Sequence, residues 1–227
     1  MIGSGTLVNF AAVIVGGGLG SFVIPRVADH VRTSTIHALG LTTILIGLQM
    51  AWKTQEILLL VVSLAVGTII GELLRLEDRI YQWAGKLERL PMVQGDGFGK
   101  AFVQASLLYC TGAMAITGAL KDGLSGDASV LYAKSILDGI SAVMFGSALG
   151  PGVMLSAVPI LLYQGVITLG ASGINSLLTE AMVREISAIG GLMVAGIGLN
   201  LVGATQLRVA SWLPALVVIT VLVGLGL

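Results

Sequence analysis

Apolar residues run along this chain in long blocks, each closed by a short polar or glycine/proline stretch. A helix needs about 20 residues to cross a hydrocarbon layer of roughly 30 Å. Read in order, the blocks predict eight spans: 2–24, 35–52, 57–74, 101–120, 133–150, 152–171, 186–202, and 209 to the C-terminus. Pro25, Lys53–Glu56, Gly150-Pro151-Gly152 and the polar link 173–185 separate them, and Arg26–Thr35 reads as a short polar link. Residues 75–100 break the pattern. Leu76, Ile80, Trp83, Leu87 and Leu90 recur at helical spacing, while Glu77, Asp78, Arg79, Lys86 and Glu88 fill the remainder. That spacing predicts an amphipathic helix lying in the membrane interface, ended by Pro91 and followed by the loop Gln94–Gly97. A partner-binding helix is the competing reading.

The expected fold is therefore all-α, a polytopic transmembrane helical bundle in a single integral-membrane domain, 1–227. Composition agrees: 56% of the 227 residues are hydrophobic and 11% charged, against about 25% charged in soluble domains. The net charge of zero points to no nucleic acid. One cysteine, Cys110, excludes an intramolecular disulfide and a multi-cysteine metal site. The run from Ile2 lacks a basic n-region and a small-residue cleavage site, so it reads as a retained span. Gly16-Gly17-Gly18-Leu19-Gly20 contains no GxGxxG and follows no strand. Gly16/Gly20, Gly67/Gly71 and Gly146/Gly150 have the spacing of close helix packing; a broken helix at Gly16–Gly18 is the alternative.

Basic residues set the expected orientation. Arg26, Arg32, Arg75, Arg79, Lys86, Arg89, Lys100 and Arg208 fall on one side of an eight-span bundle, and Lys53, Lys121 and Arg184 on the other. Eight against three places the richer side in the cytoplasm and both termini outside it. Residues 75–100 then form a cytoplasmic interfacial helix and loop. Lys121–Asp127 has the charges of a Ca²⁺ loop without its regular oxygen spacing or terminal Glu, and a solvated turn is expected there.

One stretch carries the candidate chemistry: Lys134-Ser-Ile-Leu-Asp138-Gly-Ile-Ser141. At 100° per residue, Lys134, Ser135, Asp138 and Ser141 share a face continued by Ala142 and Phe145. Ile136, Leu137, Ile140, Val143 and Met144 form the opposite face. A cation and a carboxylate in such a segment must pair, face other helices, or line a wet cavity. Three readings follow: a structural ion pair, an ion, proton or solute site, or a segment that slides until Lys134 reaches the interface. Asn9, Gln104, Gln164, Gln49 and Asn200 are the amides expected to serve a site.

The chain also echoes itself. Leu45-Ile-Gly47-Leu48-Gln49-Met50 resembles Gly196-Ile-Gly198-Leu199-Asn200-Leu201 at an offset of 151, which also pairs Gly40-Leu41 with Gly191-Leu192. Spans two and seven differ by an odd number, so a real match gives spans 1–3 and 6–8 opposite orientations, as in the inverted repeats of secondary transporters. Chance similarity of two glycine-rich helices is the alternative, and spans one/six and three/eight match poorly.

Taken together, several motifs are similar to one family. They are Gly5-Thr-Leu-Val-Asn9, Gly17-Gly18-Leu19-Gly20, Gly71-Glu72, Gly112-Ala113-Met114, Asp122-Gly123-Leu-Ser-Gly126-Asp127, Ala133-Lys134-Ser135-Ile-Leu-Asp138, Gln164-Gly165, Ser187-Ala188-Ile-Gly190-Gly191-Leu192 and Leu213-Pro214-Ala215-Leu216. The chain resembles, over nearly its whole length, the YqgA/YdfK-type family of bacterial inner-membrane proteins, whose function is unknown. The resemblance implies a multi-pass location in the bacterial plasma membrane and brings no substrate.

The function expected is a membrane transporter or channel for a small solute or ion, with Asp138 and Lys134 as its charged centre. The competing class is a non-transporting scaffold or regulatory protein using residues 75–100 as a contact. No HExxH, paired-Asp or Ser/Lys arrangement supports a named chemistry, and the Lys134-Ser135 adjacency is no dyad without geometry, so no enzyme is expected, and neither a cofactor nor a metal. The partners are the lipid bilayer and the unidentified solute or ion; homo-oligomerisation is left open.

Overall fold

In the computed structural model, residues 2–23, 29–87 and 97–226 are described, and among them there is no strand. The helices are α1 (Ser4–Gly18), α2 (Asp29–Ala51), α3 (Ile57–Leu73), α4 (Leu76–Leu87), α5 (Phe98–Cys110), α6 (Ala113–Ser125), α7 (Ser129–Leu149), α8 (Gly152–Leu155), α9 (Ala157–Leu169), α10 (Ala171–Leu177), α11 (Glu180–Leu201) and α12 (Pro214–Gly224). Four continuous helical stretches are long and apolar enough to cross a membrane: 4–23, 30–51, 152–169 and 180–201. The count reaches six if each bent pair, α3 with α4 and α5 with α6, makes one span. The other two of the eight expected stretches are α7, which carries the polar face, and the short α12. The end of the first stretch at Ile24–Pro25, with Arg26, lies outside the described residues, as do Leu90, Pro91 and most of the following loop.

The chain packs as two compact units, each gathered from several stretches: residues 1–36, 83–110 and 114–177 in one, and 37–82, 111–113 and 178–227 in the other. In the first, α1 lies parallel to α7. A Cβ on Gly16 would stand 2.3 Å from the Gly139 carbonyl oxygen, and one on Gly20 2.2 Å from that of Val143. These glycines therefore serve backbone-to-backbone packing. The helix does not break at Gly16–Gly18; it runs into a π-helical turn, Leu19–Val23. α8 and α9 together run antiparallel along α1, with Thr6 against Thr168 of α9 and Gly17 against Met154 of α8. The expected stop after α7 is present: Gly150 takes a φ of 92°, which favours glycine, and Pro151 precedes α8.

The first unit also holds two departures from expectation. The stretch 101–120 is not one straight span, because α5 and α6 meet at a 60° bend around Thr111–Gly112. The expected solvated turn at 121–127 is instead helical to Ser125, and Asp122 is fully buried. Its two carboxylate oxygens accept the Gly3 and Gly5 N–H groups, each at 3.1 Å. The first N–H groups of a helix lack intrahelical acceptors and carry partial positive charge, so a carboxylate there is stabilised. Gly126, with a φ of 71°, and the exposed Asp127 make the turn, and Asp127 Oδ1 accepts the Ser129 N–H at 3.0 Å at the start of α7.

In the second unit, α11 is the buried element, and it crosses α2 antiparallel through glycines. Gly40 abuts the Gly198 carbonyl, and Gly47 abuts Gly191 and the Ala195 N–H. Gly67 and Gly71 likewise seat α3 on Ala215 and Ser211. Helix starts within the two expected polar links lie earlier than composition suggests, α2 at Asp29 and α11 at Glu180. In α11 the physical reason is that the polar groups of the link are satisfied within the fold rather than by water. Thr179 caps α11 by accepting the Met182 N–H at 3.2 Å. Fully buried Glu185 accepts from Thr54 Oγ1 at 2.5 Å, Gln55 N–H at 3.0 Å and Arg184 Nε at 2.9 Å, so it locks the turn between α2 and α3. The chain bends by 58° from α3 into α4 at Arg75, whose φ is 48°. Glu77 and Asp78 on α4 hold the Ala210 N–H and Arg208, which also pairs with Glu72. On the expected apolar face, Trp83 is 70% exposed.

Candidate functional site

α7 presents the two faces that its sequence predicts. Lys134, Ser135, Asp138, Ala142 and Phe145 are buried, whereas Ile136, Leu137, Ile140 and Met144 are exposed. The Lys134 ammonium lies 2.5 Å from Asp138 Oδ2, and the two side chains are 7% and 10% exposed. Neither charge reaches bulk water, so each depends on the other and on nearby dipoles. Asn9 Nδ2 donates to the same Asp138 oxygen at 3.1 Å. On its other side the Lys134 nitrogen sits 6.0 Å from the centre of the buried Tyr109 ring, within cation–π range.

The serines of the motif play smaller parts. Ser135 Oγ donates to the Leu131 carbonyl of its own helix at 2.6 Å. Ser141 Oγ lies 3.0 Å from the Asp138 carbonyl and 3.3 Å from the Tyr109 hydroxyl, tying α7 to α5.

Asn9 Oδ1, beside this satisfied pair, has no hydrogen-bond partner among the described residues, and the same holds for Gln104 Oε1 on α5 and for both Oε1 and Nε2 of Gln164 on α9. Asn9 and Gln164 are completely buried and Gln104 is 6% exposed. The antiparallel register of α1 and α9 brings Asn9 and Gln164 alongside each other: Thr6 meets Thr168 at 3.3 Å, and one turn inward on each helix lie Asn9 and Gln164. The other two expected amides are elsewhere, in the second unit. Gln49 is exposed on α2. Asn200 is engaged by the loop after α11, bonding the Leu207 carbonyl and N–H at 2.8 Å each and the Thr205 hydroxyl at 2.9 Å.

Sequence reasoning did not single out Tyr109 as the cation's neighbour. It sits beside Cys110 in an apolar helix, and only the fold reveals which turn of α7 it meets. Chemically, the arrangement offers a neutralised charge pair, an aromatic wall and amide atoms open to a further hydrogen-bonding group.

Comparison with known proteins gives the chain its relatives. A family described as proteins of unknown function, DUF554, matches residues 4–224. An uncharacterised protein of Escherichia coli K12, YqgA, is 31% identical over 217 residues, covering 93% of this chain and 92% of its own length. An uncharacterised membrane protein of Bacillus subtilis 168, YdfK, is 27% identical over 220 residues, covering 94% and 93%. No solved structure matches.

Proposed function

The chain belongs to the DUF554 family, and we propose that it is a bacterial inner-membrane transporter or channel for a small solute or ion, with its site at Asp138, Lys134, Asn9 and Gln164. One observation carries this reading: buried amide atoms stand unpartnered beside an ion pair that is already satisfied. A purely structural pair has no use for them, since each unmade buried hydrogen bond costs about 1–3 kcal/mol. Asp138 holds Asn9 by its amide nitrogen and so turns the Asn9 carbonyl away from the pair.

The helix pairings support an inverted repeat at the 151-residue offset. That offset carries Gly40 to Gly191 and Gly47 to Gly198, and the observed contacts are the exchanged ones, Gly40 with Gly198 and Gly47 with Gly191. A local twofold axis across two antiparallel helices demands this exchange. Along α1 the rule holds only in part: Thr6 meets Thr168 on α9, the equivalent of Gly17, but Gly17 meets Met154 on α8, three residues from the equivalent of Thr6.

The test is flux in proteoliposomes, with ion-selective dyes and osmotic reswelling as readouts. Wild-type protein is expected to accelerate entry of at least one solute or ion over protein-free vesicles. Asp138→Asn is expected to fold and lose that flux. Full flux in a Lys134→Met/Asp138→Leu variant overturns the assignment of the site.

A further inference from the structure

Granting the transport reading, the same site says what charge its solute bears. We infer that the solute is uncharged and rich in hydrogen-bond donors, of the kind of a small polyol, amide or urea.

Two independent observations lead there. The first is charge. Lys134 and Asp138 are each other's partner, and among the described residues no other charged side chain forms a salt bridge with either. The cation has a ring face and the anion an amide as additional company. An ion arriving alone leaves one net charge in a site that is nine-tenths closed to water, where uncompensated charge is resisted. An uncharged solute leaves the balance untouched.

The second is the set of atoms that remain open. Beside the pair, Asn9 Oδ1 and Gln164 Oε1 are acceptors, and Gln164 Nε2 is the donor. A solute that satisfies them brings mainly N–H or O–H groups and one acceptor. A site that hydrogen-bonds its solute rejects analogues lacking those groups, because its own polar atoms are then left unpaired.

The experiment uses the purified full chain in proteoliposomes. Stopped-flow light scattering reads reswelling as glycerol, urea or acetamide enters, and potential-sensitive dye reads Na⁺, K⁺ and Cl⁻. Reswelling faster than in protein-free vesicles is expected for at least one neutral solute, with no dye response. Gln164→Met keeps the side-chain length and removes the amide. It should cut the accelerated component about tenfold, roughly the worth of a lost hydrogen bond or two. It should also raise the thermal stability of the purified protein, since two unpartnered buried atoms disappear. A dye response abolished by Asp138→Asn, with no neutral flux, overturns this inference and leaves transport standing. Absence of both fluxes overturns both. A loss of stability in Gln164→Met means the amide is satisfied within the fold, and overturns the inference whatever the fluxes.

Discussion

Removing the two charges of α7 one at a time and then together separates their interaction from the cost of burying them. Lys134→Met leaves the Asp138 carboxylate with only the Asn9 amide, and breaking one side of a buried pair costs about 3–5 kcal/mol. Asp138→Leu leaves the ammonium with the Tyr109 ring, whose cation–π contact recovers about 2 kcal/mol when desolvated. The same change orphans the Asn9 N–H, which costs about 1–3 kcal/mol, so this single loss should be about as large, about 3–5 kcal/mol. In the double variant no buried charge remains, which gains about 1–4 kcal/mol. The orphaned Asn9 N–H takes back about 1–3. The double variant should lie within about 1–2 kcal/mol of the wild type, although its singles sum to more than about 5. The coupling is then at least about 3 kcal/mol, as for neighbours in one network. Unfolding of the purified protein in detergent, followed by intrinsic fluorescence, measures all four corners. Additivity within about 0.5 kcal/mol refutes the reasoning, since it means the two groups do not sense each other.

Asp122→Ala should destabilise the protein by about 3 kcal/mol, since two buried N–H groups lose a charged acceptor. Asp122→Asn should fall between the two in the same unfolding assay. Gly47→Leu should abolish folded yield in size-exclusion chromatography, because its Cβ would stand 2.3 Å from the Ala195 nitrogen. Gly165→Ala, whose Cβ meets nothing within 4 Å, should be tolerated. Hydrogen bonds from the Ser129 side chain and backbone hold the Asp127 carboxyl below its ordinary value of 3.8. Its contribution is thus present above pH 3.8 and lost as pH falls through the lower folded value. Relative to intrinsic rates, exchange of the Ser129 amide should accelerate on acidification in the wild type and stay flat in Asp127→Asn.

The faces of α7 were legible because a helix periodicity of 3.6 sorts Lys134, Ser135 and Asp138 away from Ile136, Leu137 and Ile140 without help from the rest of the chain. The stop at Gly150-Pro151 was equally local. Asp122, Glu180 and Glu185 were not, since a charged residue in a sequence scan reads as solvated. Asp122 and Glu185 are buried by donors more than 100 positions away, Gly3 and Gly5 for Asp122, Thr54 and Gln55 for Glu185, whereas Glu180 lies in the first turn of α11 behind the Thr179 cap. The bend at Thr111–Gly112 has a weak signature, one glycine between two good apolar helices. Of the expected amides, Asn9 was placed beside Asp138 only by the packing of α1 on α7. Asn200 was indistinguishable in sequence from a site residue, because its loop partners lie beyond the apolar run.

The glycine contacts between α1 and α7 also decide what can move. At Gly16 and Gly20 the two backbones meet with no side chain between them, like gear teeth cut flush. Sliding α1 by one residue would drive the branches of Val15 or the bulk of Leu19 toward the Gly139 and Val143 carbonyls, where even a methyl group does not fit. Slippage along the axis is therefore blocked by hard-core repulsion, and the two helices can travel only as one beam. Any motion that admits a molecule to Asp138 must come from α5 or α9 swinging against that beam. Disulfide crosslinks between α1 and α7 should leave such traffic intact, whereas crosslinks from α9 to α1 should stop it.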